Sequence, residues 1–194
     1  MDIFPTAYAA PVAYYAQLLN SSDAAIEWHE YFPKQTIRNH CLILTSHGPM
    51  KLSIPLSNRK NKSITKDIQL SYAENWQQHH WRSIVTAYNK SPFFEFYADK
   101  IEKMYLSKVD YLIDFNQAYC ELILQLLKTH VALSPTTSYL KDGYSKDFRE
   151  SDFSSQDTLP YYQTFGDGEF VRGLSILDLL FNEGNRAKEY VKLK

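Results

Sequence analysis

The chain has no G-x-x-x-x-G-K stretch to cradle a phosphate, no H-E-x-x-H, no paired C-x-x-C, no G-x-S-x-G elbow and no dinucleotide fingerprint. Those gaps disfavour a zinc protease, an elbow-type serine hydrolase and a Rossmann dehydrogenase. No carboxylate triplet has the spacing of a magnesium site, and no metal ligand set is expected. Excess charge of either sign is missing too: 21 basic against 22 acidic residues give a net charge of -1. A partner that needs a basic field, nucleic acid or an anionic membrane, is therefore not expected. The two cysteines, Cys41 and Cys120, have neither metal nor redox spacing and read as reduced, mostly buried thiols of a cytoplasmic protein. No run approaches 18 apolar residues, and the start "MDIFPTAYAAPVAYYAQLL" has no basic n-region. Neither a membrane span nor a signal peptide is expected.

What is abundant is aromatic. With 15 Tyr and 11 Phe, aromatics make up 15% of 194 residues, whereas glycine numbers 6. Large rigid rings with polar tips suit a core or a ligand cleft. The length suits one domain with a real core.

Periodicity gives an outline. A short apolar start precedes "PVAYYAQLLNSS", which has helical spacing with Val12, Tyr15, Leu18 and Leu19 on one face. "AAIEWHEY" reads as a strand, completing a strand–helix–strand unit. "TIRNHCLILTSHGPMKLSIPLS" alternates around a Ser-His-Gly-Pro turn and reads as a hairpin. "SITKDIQLS" reads as a further edge strand, after the basic loop "NRKNKS". From Asn75 the period becomes helical, and "EFYADKIEKMYLS" and "FNQAYCELILQLLKTH" continue it. Residues 132–159 read as a long exposed polar loop, and "GLSILDLLFNEG" as a closing amphipathic helix stopped by Gly184. The expected fold is α/β: a single domain, with a mixed sheet of about five strands from the N-terminal third covered by helices.

The pair His79-His80 invites a metal reading, but adjacent helical residues point about 100° apart. Trp76, Trp81, Ile84, Val85, Ala87 and Tyr88 share an apolar arc with His80 at its edge, while His79, Arg82, Thr86 and Asn89 lie opposite. His80 is the residue to watch and His79 reads as solvated.

Five words stand in a telling order: "TAYAAPVAYYAQL", "KQTIRNHCLI", "HWRSIVTAYNKSPFFEFY", "PYYQTF" and "LSILDLLFNEG". Together the words resemble the WbqC-like protein family in its compact Bacteroidetes form, over nearly the whole chain. That resemblance implies a place in bacterial surface-polysaccharide or O-antigen biosynthesis, where some members carry a glycine-transferase label. Many longer relatives open with a His-Gln-Pro-Asn-Tyr type word. Here the region reads "FPTAYAAP", with Tyr8 the clearest match. Longer relatives also carry a further α/β segment where this chain has its polar loop.

Candidate site residues follow from these words. Arg38 beside Asn39 offers an N–H fork for a carboxylate or phosphate, or else pairs with a core carboxylate such as Glu27 or Asp178. His80 could serve as a general base, or be hydrogen-bonded into the core. Tyr88 and Asn89 end their helix at a shaped turn. Arg59 and Lys60, with Lys62, could hold an anionic donor or form a solvated loop. Asp178 and Asn182, at i and i+4, share a helix face that points into a cleft or into solvent. The expected function is acyl or aminoacyl transfer, possibly of glycine, onto a sugar precursor, with Arg38 and Arg59–Lys62 holding the donor and His80 or Asp178 taking the proton. The alternative is a non-catalytic protein that binds a ligand or organises partners of the same pathway. Convergence of Arg38, His80 and Asp178 in space separates the two. The sequence names no cofactor and no oligomeric state.

Overall fold

A computed structural model describes residues 1–57, 62–166 and 168–192. The amino end forms the expected strand–helix–strand unit. Strand β1 (Asp2–Pro5) runs into helix α1 (Val12–Leu19), which returns to β2 (Ala24–Glu27). The two strands pair in parallel from Asp2 opposite Ala24 to Pro5 opposite Glu27. Both are buried nearly throughout, with apolar runs Ile3–Pro5 and Ala24–Ile26 as parallel strands favour, although β2 ends in a buried Glu27.

The α/β class holds, but the strands fall into three small sheets rather than one of about five. Strands β3 (His40–Thr45) and β4 (Gly48–Ser53) form the hairpin. Strand β5 (Leu56–Ser57) pairs with β6 (Gln69–Leu70), and a 3-10 turn at Thr65–Asp67 lies between them. The edge strand expected at "SITKDIQLS" is thus mostly a turn. Its backbone donors explain why: Thr65 N–H bonds Glu30 O and Lys66 N–H bonds Trp28 O, so they are taken by the chain leaving β2.

The polar segment 132–159 is largely the exposed loop its composition suggests, but it also fastens to the sheet at several points. Strand β7 (Leu133–Pro135) adds in parallel to the free side of β2. Beyond it, Ile3 N–H bonds Lys146 O and Phe148 N–H bonds Ile3 O, which seals the other edge at β1. Phe148 stacks on Phe4 at 4.5 Å, and buried Phe153 meets Tyr14 edge-on. Single aromatics at irregular intervals anchor this segment, so no periodic signal marks it.

Helices α2 (Trp76–Tyr88), α3 (Phe94–Leu106) and α4 (Leu112–Leu126) pack beside the sheets, and α5 (Ile176–Glu183) runs through the core. All eight residues of α5 are buried, so it has no solvated face. Ser175 caps it by accepting from Leu177 N–H. A 3-10 turn and the short α6 (Ala187–Tyr190) follow. Gly184 ends α5 at φ +57°, and a Cβ there would lie 2.5 Å from the Phe93 ring. Gly184→Ala is expected to destabilise the protein by at least about 2 kcal/mol, combining strain and overpacking. The check is a urea midpoint that falls while the slope stays constant.

Candidate functional site

In open α/β sheets, ligands bind beyond the carboxyl ends of parallel strands. Here those ends bring together residues from four segments. β2 ends in Glu27 and continues as Trp28, His29 and Glu30, while β7 is followed by Thr136. Arg38 comes from the turn before β3, and Arg149 from the strip that seals β1.

Glu27 is fully buried and has four donors. Oε1 accepts from His29 N–H at 2.8 Å and from the Thr136 hydroxyl at 2.7 Å; Oε2 accepts from Leu140 N–H and from Arg149 Nη1, each at 3.2 Å. Arg149 also bonds Asp147 through Nη2 at 2.6 Å, which helps hold that carboxyl below the usual range. Its guanidinium lies 4.9 Å from the Tyr139 ring centroid and 5.2 Å from that of Tyr144. Arg38 closes its fork on Glu30 at 2.6 and 2.8 Å and gives further bonds to Arg149 O and Thr36 Oγ1. Burial pushes the Glu30 carboxyl up, against the pull of the Arg38 fork.

Over this network opens a cleft of about 860 Å³, lined among others by His29, Glu30, Tyr31, Arg38, Tyr139 and Arg149. Tyr31 is 65% exposed and Tyr139 48%, although both are large aromatics. Two solvent-facing rings over a rigid charged floor can take a flat or ring-shaped polar molecule.

The other sequence candidates lie elsewhere. Arg38 belongs here, but it sits in a turn, not on a strand with His40, and its partner is Glu30 rather than Glu27 or Asp178. Asn39 bonds Ile54 O through Nδ2. His80 is buried among aromatics, with Nδ1 2.9 Å from the Tyr8 hydroxyl and its ring edge-on to Trp76. Tyr8 also bonds Tyr105, which reaches Tyr119. Burial drives the His80 pKa down to about 4, and neither His80 nor Tyr8 lines the cleft. The core reading of His80 is the one the geometry gives; His79 is exposed as expected.

Tyr88 is buried, accepts from Leu44 N–H and packs on Phe181, whereas Asn89 is exposed at the end of α2. Asp178 and Asn182 do share a face of α5, but it meets neither solvent nor the cleft. Asp178 Oδ2 accepts from the Tyr161 hydroxyl at 2.8 Å and from Gln163 Nε2 at 3.1 Å, and Asn182 Oδ1 accepts from the Thr164 hydroxyl at 2.7 Å. The pair fastens "PYYQTF" onto α5. Burial raises the Asp178 carboxyl to about 6, opposed by hydrogen bonds from Tyr161, Tyr88 and Gln163. Arg59 and Lys60 lie outside the described residues.

Arg38, His80 and Asp178 therefore sit in three separate hydrogen-bonded clusters. Sequence reading missed His29, Glu30, Thr136 and Arg149, and considered Glu27 only as a partner for Arg38. The available signal was position: "EWHEY" packs charge and imidazole at the mouth of a buried parallel strand. Among the described residues no group of three or more His, Cys, Asp or Glu is placed to hold a metal, and no helix is long and apolar enough to cross a membrane.

The profile of the WbqC-like protein family matches residues 7–149 and 134–190. No curated protein and no solved structure matches the chain.

Proposed function

The chain belongs to the WbqC-like protein family, and on that premise we propose that it transfers an acyl or aminoacyl group, glycine included, onto a sugar precursor of bacterial surface polysaccharide. The observation that carries this reading is the cleft at the carboxyl ends of β1, β2 and β7, with exposed Tyr31 and Tyr139 above a floor of Arg38, Glu30, Arg149 and His29. Its volume lies in the range of small-molecule sites. Tyrosine faces are electron-rich and pack against the C–H face of a sugar ring, while the floor offers polar groups for its hydroxyls.

With a thioester donor the chemistry balances without redox. The acceptor nitrogen or oxygen attacks the thioester carbonyl carbon, the C–S bond breaks, and the acceptor's proton ends on the departing thiol. His80 and Asp178 have no part in this step, because neither opens on the cleft.

Two observations favour the non-catalytic alternative, the first being that Arg38, His80 and Asp178 do not converge. The forks of Arg38 and Arg149 are closed on protein carboxylates and give a donor phosphate few free N–H groups. A melting panel with nucleotide-sugars, acyl-CoAs, ATP and glycine tests both readings. A ligand at 100 times its Kd adds about 2.7 kcal/mol, or roughly 5 to 11 °C for a domain of this size. The transferase reading expects such shifts from a nucleotide-sugar and an acyl-CoA, both reduced in a Tyr31→Ala/Tyr139→Ala double variant. It also expects an acylated sugar by mass spectrometry when both are present. Shifts without product leave the ligand-binding protein, and a panel with no shift leaves the protein that organises partners.

A further inference from the structure

We propose that His29 is the general base of this cleft and that the Thr136 hydroxyl and Glu27 set its tautomer. The inference rests on the transfer reading above for its chemistry, but not for its geometry.

The argument begins with one proton. A threonine hydroxyl donates once and accepts twice. The Thr136 hydroxyl donates to Glu27 Oε1 at 2.7 Å, a buried carboxylate that can only accept. Thr136 Oγ1 then accepts from Trp28 N–H at 3.1 Å, which leaves one lone pair. That lone pair meets His29 Nδ1 at 3.3 Å, so Nδ1 must carry the hydrogen. In a neutral imidazole the other nitrogen, Nε2, is then the bare base. Among the described residues nothing bonds Nε2, and His29 lines the cleft.

Glu27 does more than fix the hydroxyl. Its Oε1 also accepts from the His29 backbone N–H at 2.8 Å, so one carboxylate positions the residue by its backbone and by its ring. A triad orders a base through a third group in the same manner, with the threonine here placed between imidazole and carboxylate. The charged groups around the cleft are Glu27 at the end of β2 and Glu30 beyond it, Arg38 before β3, and Lys141, Arg149 and Glu150 after β7. In the transfer step Nε2 takes the proton from the acceptor amine or hydroxyl as it attacks the thioester carbon. The C–S bond breaks, and the imidazolium hands that proton to the thiolate. Protons and electrons balance, and His29 returns to its starting tautomer.

The test reads the tautomer directly. Long-range proton–nitrogen NMR of the ¹⁵N-labelled full chain at about pH 8, above the ordinary histidine pKa of about 6.5, distinguishes the two neutral forms. His29 is assigned by the signal lost in His29→Gln. The expected result is the Nδ1–H form in wild type and in Thr136→Ser. Thr136→Val, which keeps the shape but lacks the hydroxyl, reverts to the Nε2–H form usual for imidazoles in water. An Nε2–H form in wild type, or a spectrum that Thr136→Val leaves unchanged, overturns the relay whether or not the protein is a transferase.

A second arm uses acetyl-CoA with a UDP-linked amino sugar. His29→Gln should lower kcat by about 100-fold or more while KM stays near wild type. Wild-type turnover retained in His29→Gln removes His29 from the chemistry. No turnover by wild type, with the expected tautomer in place, overturns the transfer reading and the base role with it, and leaves the relay as a structural fact.

Discussion

Arg149→Ala should lower the melting temperature by roughly 6 to 20 °C, because breaking a buried ion pair costs about 3–5 kcal/mol and each kcal/mol is worth about 2–4 °C in a chain of this length. The cost comes from what remains. Glu27 is fully buried at the end of β2, and Arg149 is its cationic partner. Without the guanidinium its charge faces low dielectric with neutral donors alone. Asp147, the other carboxylate on Arg149, is about a third exposed and rehydrates. Arg149 also ties Leu140 O and Asp147 through its guanidinium, so these two stretches of the segment after β7 loosen together.

A double-mutant cycle separates the pair from its surroundings. Glu27→Ala removes the carboxylate and orphans donors from His29, Thr136 and Leu140, so it is costly by itself. Combined with Arg149→Ala, the sum should fall short of additivity by about 0.5–3 kcal/mol, since neither charge is then stranded. Strict additivity in calorimetry or urea titration would falsify the claim that stranded charge dominates.

How much of this was legible in the sequence depends on how local each feature is. The strand–helix–strand unit, the hairpin and the three long helices show their own periods, so the sequence marks them. His79 outside and His80 inside follow from an angle alone. The division into three small sheets does not, because β6 is two residues long and Thr65 and Lys66 bond to Glu30 and Trp28 rather than to a strand. The site was hidden for a related reason. Thr136 lies 109 residues from Glu27 and Arg149 lies 122, so no spacing motif can announce them. Asp178 and Asn182 were visible as an i, i+4 pair, but two polar residues on one helix face look alike whether they meet water, a ligand or a buried strap. The strap "PYYQTF" carries the same pattern of donors that a ligand would.

Two buried titratable groups outside the cleft, His80 and Asp178, make the last prediction, and it concerns pH. The folded pKa of His80 is about 4, below its ordinary value. Against an unfolded value of about 6.5, its contribution to stability is present above pH 6.5 and is lost as pH falls through about 4. Asp178 has the opposite sense, because its folded pKa is about 6. Against an unfolded value of about 3.9, its contribution is present below pH 4 and is lost as pH rises through about 6. Each shift exceeds about two units, or about 3 kcal/mol per group as an order of magnitude. Between about pH 4 and 6 one group makes folding release a proton and the other makes it take one up, so in wild type the two slopes cancel.

Single variants remove the cancellation. Asp178→Asn leaves His80 alone, and its stability should fall by about 2 kcal/mol relative to wild type when pH drops from 7.5 to 4.5. His80→Gln leaves Asp178 alone, and the relative stability should fall by a similar amount over the same interval when pH rises. Raised Glu30 and lowered Asp147 are common to all three proteins and drop out of the difference. Urea midpoints at the two pH values decide the matter. Curves for variants and wild type that run parallel would mean that water reaches both groups, and that neither lies as deep in the core as its hydrogen bonds to Tyr8 and Tyr161 imply.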